Sequence, residues 1–272
     1  MPELPEVETT IRYLDSKVNG KKILSITTSK KKLRKNLHTT NLSAIEGSAI
    51  ISVDRKAKYI VLTLKPLKYL VIHLGMSGRL KFFHKKNYIN EKHDHVVMEF
   101  SQFNVVFNDP RRFGMFFMLE DDQELNIFFQ HYGVDLLLDS INFKNIFKIF
   151  HKKNVSLKQI LLDQRVFVGI GNIYANEALF HSRLHPERKS NTLSKDEIKQ
   201  LIRSCRHVLE LSLKNGGSSI NDYKSPDGTL GSFQNMFQVY QRTEVMLKKK
   251  RYPVKKIVQN GRSTFFSPTL QK

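Results

Sequence analysis

The period of the hydrophobic residues changes once along this chain, and this change constrains the fold more than any other feature. From Lys22 to about Leu119, apolar residues form short runs that Gly, Pro, Asn and Asp separate, which is typical of β-strands joined by turns. From about Asp122, the apolar positions recur with helical spacing. The sequence therefore predicts an α+β protein in which a β-sandwich precedes a helical region.

The same pattern predicts the individual elements. A helix is expected over residues 3–18, where two prolines precede a stretch with helical spacing. Strands are predicted at 23–28, 49–53, 59–64, 70–74, 96–100, 105–107 and 115–119. Helices are predicted at 122–132, 142–151, 155–162, 171–181 and 194–214. Residues 233–272 return to strand-like pieces around the hairpin dipeptide Asn260-Gly261, so the predicted domains are 1–130, 131–232 and 233–272.

The charge balance limits the classes of partner. The chain contains 45 Lys and Arg against 25 Asp and Glu, a net charge of +20, which points to DNA, RNA or an anionic membrane. Lys, Asn, Ile and Phe are all abundant, as in proteins of AT-rich genomes, so charge alone leaves nucleic-acid binding open. No apolar run is long enough to span a bilayer, and the single cysteine, Cys205, excludes an internal disulfide. Cys205 is interpreted as a core residue of a helix, and a cytoplasmic, monomeric protein is expected.

The first six residues suit an amine nucleophile. Removal of Met1 would leave the secondary amine of Pro2 as the N-terminus, with the carboxylates of Glu3 and Glu6 close behind it. A terminal amine has a pKa near 8, so roughly a tenth of it is free base at pH 7. A free amine can form a Schiff base, and a neighbouring carboxylate can transfer protons. The same residues are also compatible with an ordinary, frayed N-terminus, which is the commoner case for six residues taken alone.

Three glycine-containing turns carry residues that suit contact with nucleic acid. Residues 109–114 place two arginines and Phe113 on a tight turn, and residues 74–79 present Met76 on another. A loop that fills the hole left by an extruded base needs planar guanidinium groups, which donate several hydrogen bonds, and flat apolar side chains. Both are also compatible with ordinary turns whose Met and Phe belong to the core. Residues 169–177 run from a glycine-rich turn into a helix, whose first N–H groups suit a phosphate.

Six motifs in a fixed order identify a family resemblance. They are Met-Pro-Glu-Leu-Pro-Glu-Val-Glu-Thr, Leu-Gly-Met-Ser-Gly-Arg, Asp-Pro-Arg-Arg-Phe-Gly, Gly-Ile-Gly-Asn-Ile-Tyr-Ala-Asn-Glu, Gly-Gly-Ser-Ser-Ile-Asn-Asp-Tyr and Phe-Gln-Val-Tyr. Each is modest alone, but together they cover nearly all of the chain and resemble a bacterial formamidopyrimidine-DNA glycosylase. The resemblance implies an N-terminal β-sandwich with a leading helix, a helix-two-turn-helix domain and a C-terminal β-hairpin finger.

The resemblance also implies roles for particular residues. Pro2 corresponds to the Schiff-base nucleophile, Glu3 to the proton-transferring glutamate, Glu6 to a second glutamate of the site and Lys58 to the catalytic lysine. The finger arginine corresponds to Arg262, which we group with these catalytic residues. The side chains that fill the void left by the flipped base correspond to Met76, Arg111 and Phe113. Phosphate contacts correspond to His73, His93, Lys153 and Asn172, and the loop over the flipped base to residues 217–231.

The chain departs from the family pattern at the finger. The family usually carries two Cys-x2-Cys pairs there, sixteen residues apart, that bind zinc. The corresponding positions are Leu247, Lys250, Ser267 and Leu270, with the spacing kept. Zinc needs four N, S or O ligands, so the sequence predicts a finger without metal and a protein without a cofactor. Residues 242–272 still contain nine basic residues against one acid, which suits DNA, and Leu247, Val254, Ile257, Phe265 and Leu270 are expected to form an apolar plug.

The implied function is a bifunctional DNA glycosylase and AP lyase that removes oxidised purines from double-stranded DNA and acts at abasic sites. An endonuclease VIII-like enzyme for oxidised pyrimidines is the nearest alternative. The Leu-Pro-Glu-Val-Glu-Thr start and the full set of Met76, Arg111 and Phe113 argue against it. A catalytically silent DNA-binding relative is a second alternative, which the intact Pro2, Glu3 and Lys58 argue against. An RNA-binding protein is a third, but the chain lacks an RNP-like aromatic strand motif.

Overall fold

The computed structural model describes residues 2–34, 41–219 and 230–272. These residues form two compact units. The first unit comprises residues 1–130 and 216–231, and the second comprises residues 131–215 and 232–272. The division into domains 1–130, 131–232 and 233–272 stays a prediction.

The first unit contains a helix, two four-stranded antiparallel sheets and a short helix. Its elements in chain order are α1 (Leu4–Val18), β1 (Ser25–Thr28), β2 (Ala49–Lys56), β3 (Tyr59–Lys65), β4 (Lys68–His73), β5 (Arg79–His84), β6 (Asp94–Glu99), β7 (Phe103–Asn108), β8 (Met115–Leu119) and α2 (Asp122–Phe129). Single 3-10 turns lie at Leu42–Ile45 and Lys85–Asn87. One sheet has the strand order β2-β3-β4-β8 and the other has the order β1-β6-β7-β5.

The two sheets share one hydrophobic core with α1. The buried apolar residues of α1 recur at three- and four-residue spacing, which is the pattern of a helix with one buried face. They join strand residues of both sheets, such as Ile60, Leu70 and Phe107, in a single cluster. The sandwich positions the functional loops because its strand register fixes where each loop begins and ends.

The second unit contains four helices and two β-hairpins. The helices are α3 (Phe143–Lys152), α4 (Leu157–Leu162), α5 (Asn172–His181) and α6 (Lys195–Lys214), with 3-10 turns at Ser190–Thr192 and Phe233–Met236. Side chains cap three of them, since Asn142, Ser156 and Ser194 accept hydrogen bonds from the first turns of α3, α4 and α6. The hairpins pair β9 (Glu244–Leu247) with β10 (Lys250–Pro253) and β11 (Lys255–Gln259) with β12 (Arg262–Phe266). We call residues 242–272 the finger.

The predicted fold class is confirmed, and one strand was missed. The α+β division, the N-terminal helix, the sandwich, the helical region and the C-terminal hairpins are all present. The prediction had no strand at β5, because its alternating residues are lysine and half-buried phenylalanine rather than an apolar run. The helix predicted to reach residue 132 ends at Phe129. Cys205 is 2% exposed on α6, which confirms that it is a core residue.

Candidate functional site

The N-terminus is fixed by the start of α1. Pro2 is buried, and Glu3 and Glu6 are each 2% exposed. Glu3 is the N-cap of α1, and its backbone N–H donates to Oε2 of Glu6 at 2.8 Å within a reciprocal capping box. The capping box orders the residue that directly follows Pro2, so the candidate nucleophile is held against a folded helix rather than on a frayed end.

Glu6 also binds a segment that is distant in sequence. Its Oε1 accepts hydrogen bonds from the backbone N–H of Ser218 at 2.7 Å and from the Ser218 hydroxyl at 2.9 Å. Gly217 has a φ of +80°, and a Cβ at that position would lie 3.1 Å from Oε1 of Glu6. The glycine therefore permits both the left-handed turn and the close approach. The remainder of the predicted loop over the flipped base, residues 220–229, lies outside the described residues.

Lys58 lies in a two-residue hairpin loop between β2 and β3. Lys56 pairs with Tyr59, so only Ala57 and Lys58 form the turn, and Ala57 adopts a φ of +55°. The guanidinium of Arg55 donates to the carbonyl of Ala57 and to the Glu8 carboxylate on α1. Lys58 itself is 8% exposed. The hairpin that carries the candidate catalytic lysine is thus tied to α1, the helix that begins directly after Pro2 and Glu3.

His73 ends β4 directly beside this hairpin, since His73 is the register partner of Tyr59. Burial, with the charges of Lys58 and Arg34, lowers the pKa of His73 to about 4, so the imidazole is neutral at pH 7. Nδ1 of His73 accepts from the backbone N–H of Gly75 at 3.0 Å. The proton must therefore reside on Nε2, which can donate to a phosphate oxygen.

The two glycine-flanked turns of the first unit form one structure, which we call the wedge loops (residues 74–79 and 109–114). Asp109 is fully buried, and its carboxylate accepts from the Ser77 hydroxyl at 2.6 Å and from the Gly114 N–H at 2.8 Å. A Cβ on Gly75 would lie 2.5 Å from the Gly114 nitrogen, so the backbones of the two loops touch. One carboxylate therefore holds both loops in a fixed relation.

The wedge loops present the side chains that were predicted to fill a void. Met76 is 40% exposed and Phe113 is 46% exposed. The guanidinium of Arg111 lies over the Phe113 ring, 5.0 Å from its centroid. The neighbouring His93 is half-buried, and its carbonyl accepts the Asp109 N–H at 3.0 Å. Exposed apolar side chains beside a stacked guanidinium can enter a base stack.

A basic groove of about 380 Å³ occupies the second unit, lined by residues of α4, by the chain after α3 and by the tip of the β11–β12 hairpin. Lys153 and Arg262, both predicted to contact DNA, line it. Asp163 lies between two cations, with its carboxylate 2.9 Å from the Lys153 amine and 3.0 Å from the Arg165 guanidinium. Burial opposes ionisation of Asp163, but its bonds with Arg165 and Lys153 hold its pKa well below the usual range.

Asn172 begins α5, as its motif predicted, and its side chain has a partner within the protein. Its Nδ2 donates to the carbonyl of Ser263 at 3.0 Å, so the amide links the start of α5 to β12. The backbone N–H groups of the first turn of α5 are the groups that suit a phosphate. The DNA contact of Asn172 stays a prediction.

The four finger positions that correspond to zinc ligands do not fit zinc. Leu247 and Lys250 face each other as register partners across the β9–β10 turn. Ser267 is fully buried, and Leu270 is half-buried. A leucine offers no donor atom, and a lysine amine is protonated at neutral pH, so this set cannot replace thiolates. Among the described residues, no three His, Cys, Asp or Glu side chains cluster as a metal site requires.

Polar and apolar contacts to α5 hold the finger and the segment that leads into it, residues 238–240. Within the finger, the Phe265 N–H donates to the side-chain oxygen of Asn176 on α5 at 2.7 Å. Glu177, 1% exposed, accepts hydrogen bonds from the consecutive backbone N–H groups of Gln238, Val239 and Tyr240. Burial raises the pKa of Glu177, while these N–H groups and Arg242 oppose the rise. A hydrophobic cluster lies next to these bonds, consisting of Phe180, Val239, Val245, Tyr252, Val254, Phe265 and Leu270. It includes three residues of the predicted plug but neither Leu247 nor Ile257.

The last residues of the finger add a second anchor. The Gln271 side chain accepts the Ser267 N–H at 2.9 Å and donates to the carbonyl of Leu184 at 2.9 Å. The backbone of Lys272 exchanges hydrogen bonds with Arg183 and His185 after the end of α5. These contacts fix the segment that contains Ser267 and Leu270.

Sequence reasoning assigned no role to several residues that organise the site. Asp109 and Ser77 shape the wedge loops, and Ser218 binds Glu6. Glu177 holds the segment that leads into the finger, and Lys158 holds the finger itself. Asp109 had a local signal, since an aspartate that begins a Pro-containing turn often accepts hydrogen bonds from that turn. The partners of the others lie too far away in sequence for a local pattern to predict.

Two family models match the chain. The formamidopyrimidine-DNA glycosylase N-terminal domain matches residues 1–116, and the formamidopyrimidine-DNA glycosylase H2TH domain matches residues 132–224. The chain is 37% identical to the formamidopyrimidine-DNA glycosylase of a Wolbachia of Brugia malayi and 39% identical to that of Zymomonas mobilis, with both chains fully covered. A crystal structure of Lactococcus lactis Fpg with abasic-site DNA matches with a TM-score of 0.90 at 32% identity, covering 99% of each chain. A complex of a mutant of that enzyme with DNA containing Fapy-dG matches with a TM-score of 0.91 at 31% identity, covering 100% of each.

Proposed function

The chain belongs to the formamidopyrimidine-DNA glycosylase family and is a DNA glycosylase of base excision repair, and we propose that it is bifunctional. It removes oxidised purines such as 8-oxoguanine and formamidopyrimidines from double-stranded DNA and then cleaves the strand at the abasic site. It works in the bacterial cytoplasm, without a cofactor. No described helix is long and apolar enough to cross a membrane.

The reaction begins with the amine of Pro2. The target nucleotide is flipped out of the duplex, because its sugar cannot be reached in the stack. The Pro2 nitrogen bonds to C1′ of the sugar as the bond from C1′ to the base breaks; the amine loses its proton and the departing base gains one. The C1′–O4′ bond of the sugar ring then breaks as O4′ takes up a proton, which leaves a Schiff base between Pro2 and C1′. This Schiff base permits β- and then δ-elimination of the two phosphates. Glu3 and Lys58 transfer the protons.

The observation that carries this proposal is the capping box at the start of α1. The bond from the Glu3 N–H to Glu6, and the bonds from Ser218 to the same carboxylate, hold the residue after Pro2 in one position. A nucleophile in a defined position raises the rate because less orientational freedom is lost at the transition state. The burial of Lys58 beside a neutral His73 supports the same site.

The wedge loops supply the second part of the proposal. Met76, Arg111 and Phe113 enter the duplex where the damaged base leaves it. Unstacking costs a few kcal/mol per step, and the wedge offsets that cost. Phe113→Ala should therefore slow excision more than it weakens nonspecific DNA binding, whereas an unchanged excision rate would leave these loops with a structural role only.

The finger works without metal and carries Arg262 to the DNA. The donor set of the finger, which does not suit zinc, and the bonds of the finger to α5 and to the chain after α5 support this part of the proposal. Metal analysis of the purified protein should detect no stoichiometric zinc, and chelators should leave the activity unchanged. One tightly bound zinc per chain would contradict it.

Borohydride trapping tests the mechanism directly. We expect the protein to form a covalent adduct with duplex DNA that contains 8-oxoguanine when the Schiff base is reduced. A variant with an uncleaved N-terminal extension should bind the duplex but form no adduct, because Pro2 is then an amide. A parallel duplex with an oxidised pyrimidine distinguishes the endonuclease VIII-like alternative, and full lyase activity in the extended protein would overturn the role of Pro2.

A further inference from the structure

One lysine of the second unit is buried although the groove beside it is open. Lys158 lies on α4 and is 1% exposed. Lysine is almost never fully buried unless its amine is paired, because its removal from water costs free energy that only good hydrogen bonds can offset. The nearby Lys153 keeps 34% of its side chain exposed. Lys158 therefore does not serve as another surface cation.

The Lys158 amine binds the second strand of the finger hairpin. Its Nζ donates to the carbonyl of Ser263 at 2.8 Å and to the hydroxyl of Thr264 at 2.6 Å. Thr264 is fully buried, and its hydroxyl donates in turn to the side-chain oxygen of Gln259 at 2.9 Å. The carbonyl of Ser263 also accepts from Asn172, at 3.0 Å. A single amine thus begins a network that reaches both strands of the hairpin.

This network surrounds the position of Arg262. Gln259 and Arg262 are register partners, and only Asn260 and Gly261 separate them. These two residues have φ values of +49° and +72°, the left-handed pair that a two-residue hairpin turn requires. The backbone of Arg262 is therefore fixed on one side by the turn and on the other by Ser263.

We propose that Lys158 is a positioning residue for Arg262: it holds the β11–β12 tip so that the guanidinium meets the DNA in its working position. This inference rests on the proposed role of Arg262 in DNA binding and excision. Lys158 contacts the hairpin rather than the DNA, and its effect passes through the backbone of Ser263. A displacement of about 1 Å in a group that acts on the reacting centre can slow a reaction by up to about a hundredfold.

A double-mutant cycle tests the proposal. Lys158→Met keeps the length of the side chain and removes its donors, while Arg262→Ala removes the positioned group. Single-turnover excision of 8-oxoguanine should slow by about tenfold or more in each single variant. The double variant should be no slower than the slower single variant, because Lys158 has nothing left to position once Arg262 is absent.

Two further variants separate positioning from general stability or charge. Thr264→Val removes one acceptor of the Lys158 amine and the bond to Gln259, and it should also fail to add to Arg262→Ala. It keeps the test decisive if Lys158→Met does not fold. Lys199→Met removes a cation of α6 whose side chain is 44% exposed, and it should excise at the parental rate. Lys158→Arg keeps a cationic donor and should restore part of the lost rate.

The outcomes separate this inference from the proposed function. Parental excision by Lys158→Met, or slowing that multiplies with that of Arg262→Ala, would overturn the inference while leaving the chemistry of Pro2 intact. Parental excision by Arg262→Ala would overturn both the role of Arg262 and its positioning by Lys158. Loss of borohydride trapping from the unmodified protein would instead contradict the proposed function itself.

Discussion

The wedge loops and the finger both present exposed side chains on tight turns, but they are stabilised in different ways. The wedge loops begin and end in four-stranded sheets, and one carboxylate, that of Asp109, joins them. The finger strands form two-stranded sheets only, and such hairpins are marginal by themselves. Side chains from α4 and α5 accordingly bind the backbone of the finger region, and they include Lys158, Asn172, Asn176 and Glu177.

This difference indicates where a buried polar side chain is needed. Sheet register already fixes the ends of the wedge loops, so the carboxylate of Asp109, with the Ser77 hydroxyl that it binds, is enough to shape them. The finger has neither a wide sheet nor residues suited to zinc at the corresponding positions, so long-range hydrogen bonds must supply its rigidity. We therefore expect the wedge loops to depend on one residue and the finger to depend on several.

The largest effect is expected for Asp109→Ala. The substitution leaves the Ser77 hydroxyl and the Gly114 N–H without their acceptor at a buried position, which should cost about 2–4 kcal/mol in the free energy of unfolding of the first unit. Excision should also slow, because Met76, Arg111 and Phe113 lose their common support. Denaturant unfolding and single-turnover kinetics measure the two effects. Asp196→Ala, at an exposed position, is the matched control. An equal loss of stability and of excision rate in both variants would show that Asp109 has no special role.

A smaller effect is expected for Glu177→Gln. The amide keeps one oxygen acceptor but turns an N–H donor toward one of the three backbone N–H groups, at a cost of about 1–3 kcal/mol. Hydrogen exchange should speed up at residues 238–240 and in the finger, with little change in the sandwich. Glu187→Gln, at an exposed position, should leave exchange unchanged. Faster exchange throughout the chain would show that the finger does not respond separately.

Leu270→Asp probes the apolar side of the finger. A carboxylate placed against Phe180 and Val245 should loosen the hairpins and weaken DNA binding several-fold, while the sandwich stays folded. Leu138→Asp, at a position that is 67% exposed, is the control for added negative charge. If both variants bind DNA equally well, the hydrogen bonds alone hold the finger.

The smallest effect is expected on the stability of the protein as the pH falls. Burial lowers the pKa of His73 and of His181 to about 4 and also lowers that of His95. Below about pH 6.5, these histidines therefore bind protons in the unfolded chain but not in the folded chain. Stability from these groups is present above pH 6.5 and is lost as the pH falls toward 4. The first unit contains two of the three histidines, so it should lose more stability than the second.

Thermal unfolding of His73→Gln and His181→Gln between pH 7 and pH 4 checks this expectation. Each substitution should reduce the pH dependence of the unit that contains it. An unchanged slope in both variants would show that carboxylates, rather than these histidines, control the acid response.

The sequence by itself determined the order of elements and the identity of the chemical groups. The change in hydrophobic period separated the sandwich from the helices, because local spacing reports which face of an element is buried. The motifs predicted roles for Pro2, Lys58 and the wedge residues through resemblance, and the donor chemistry of the four finger positions predicted a finger without zinc. The strand β5 was not predicted, because its burial is partial and Lys81 interrupts the apolar pattern.

Only the tertiary structure decided how these groups are held. Ser218 binds Glu6 across 212 residues, and Lys158 binds Thr264 across 106. A buried polar side chain is stable only with its partner, and nothing in the local sequence specifies a partner that distant. Helical spacing predicts that position 158 lies on the buried face of its helix, whereas the residue type, lysine, predicts a position at the surface. Its burial follows from the hairpin that packs over it, which is a property of the folded chain.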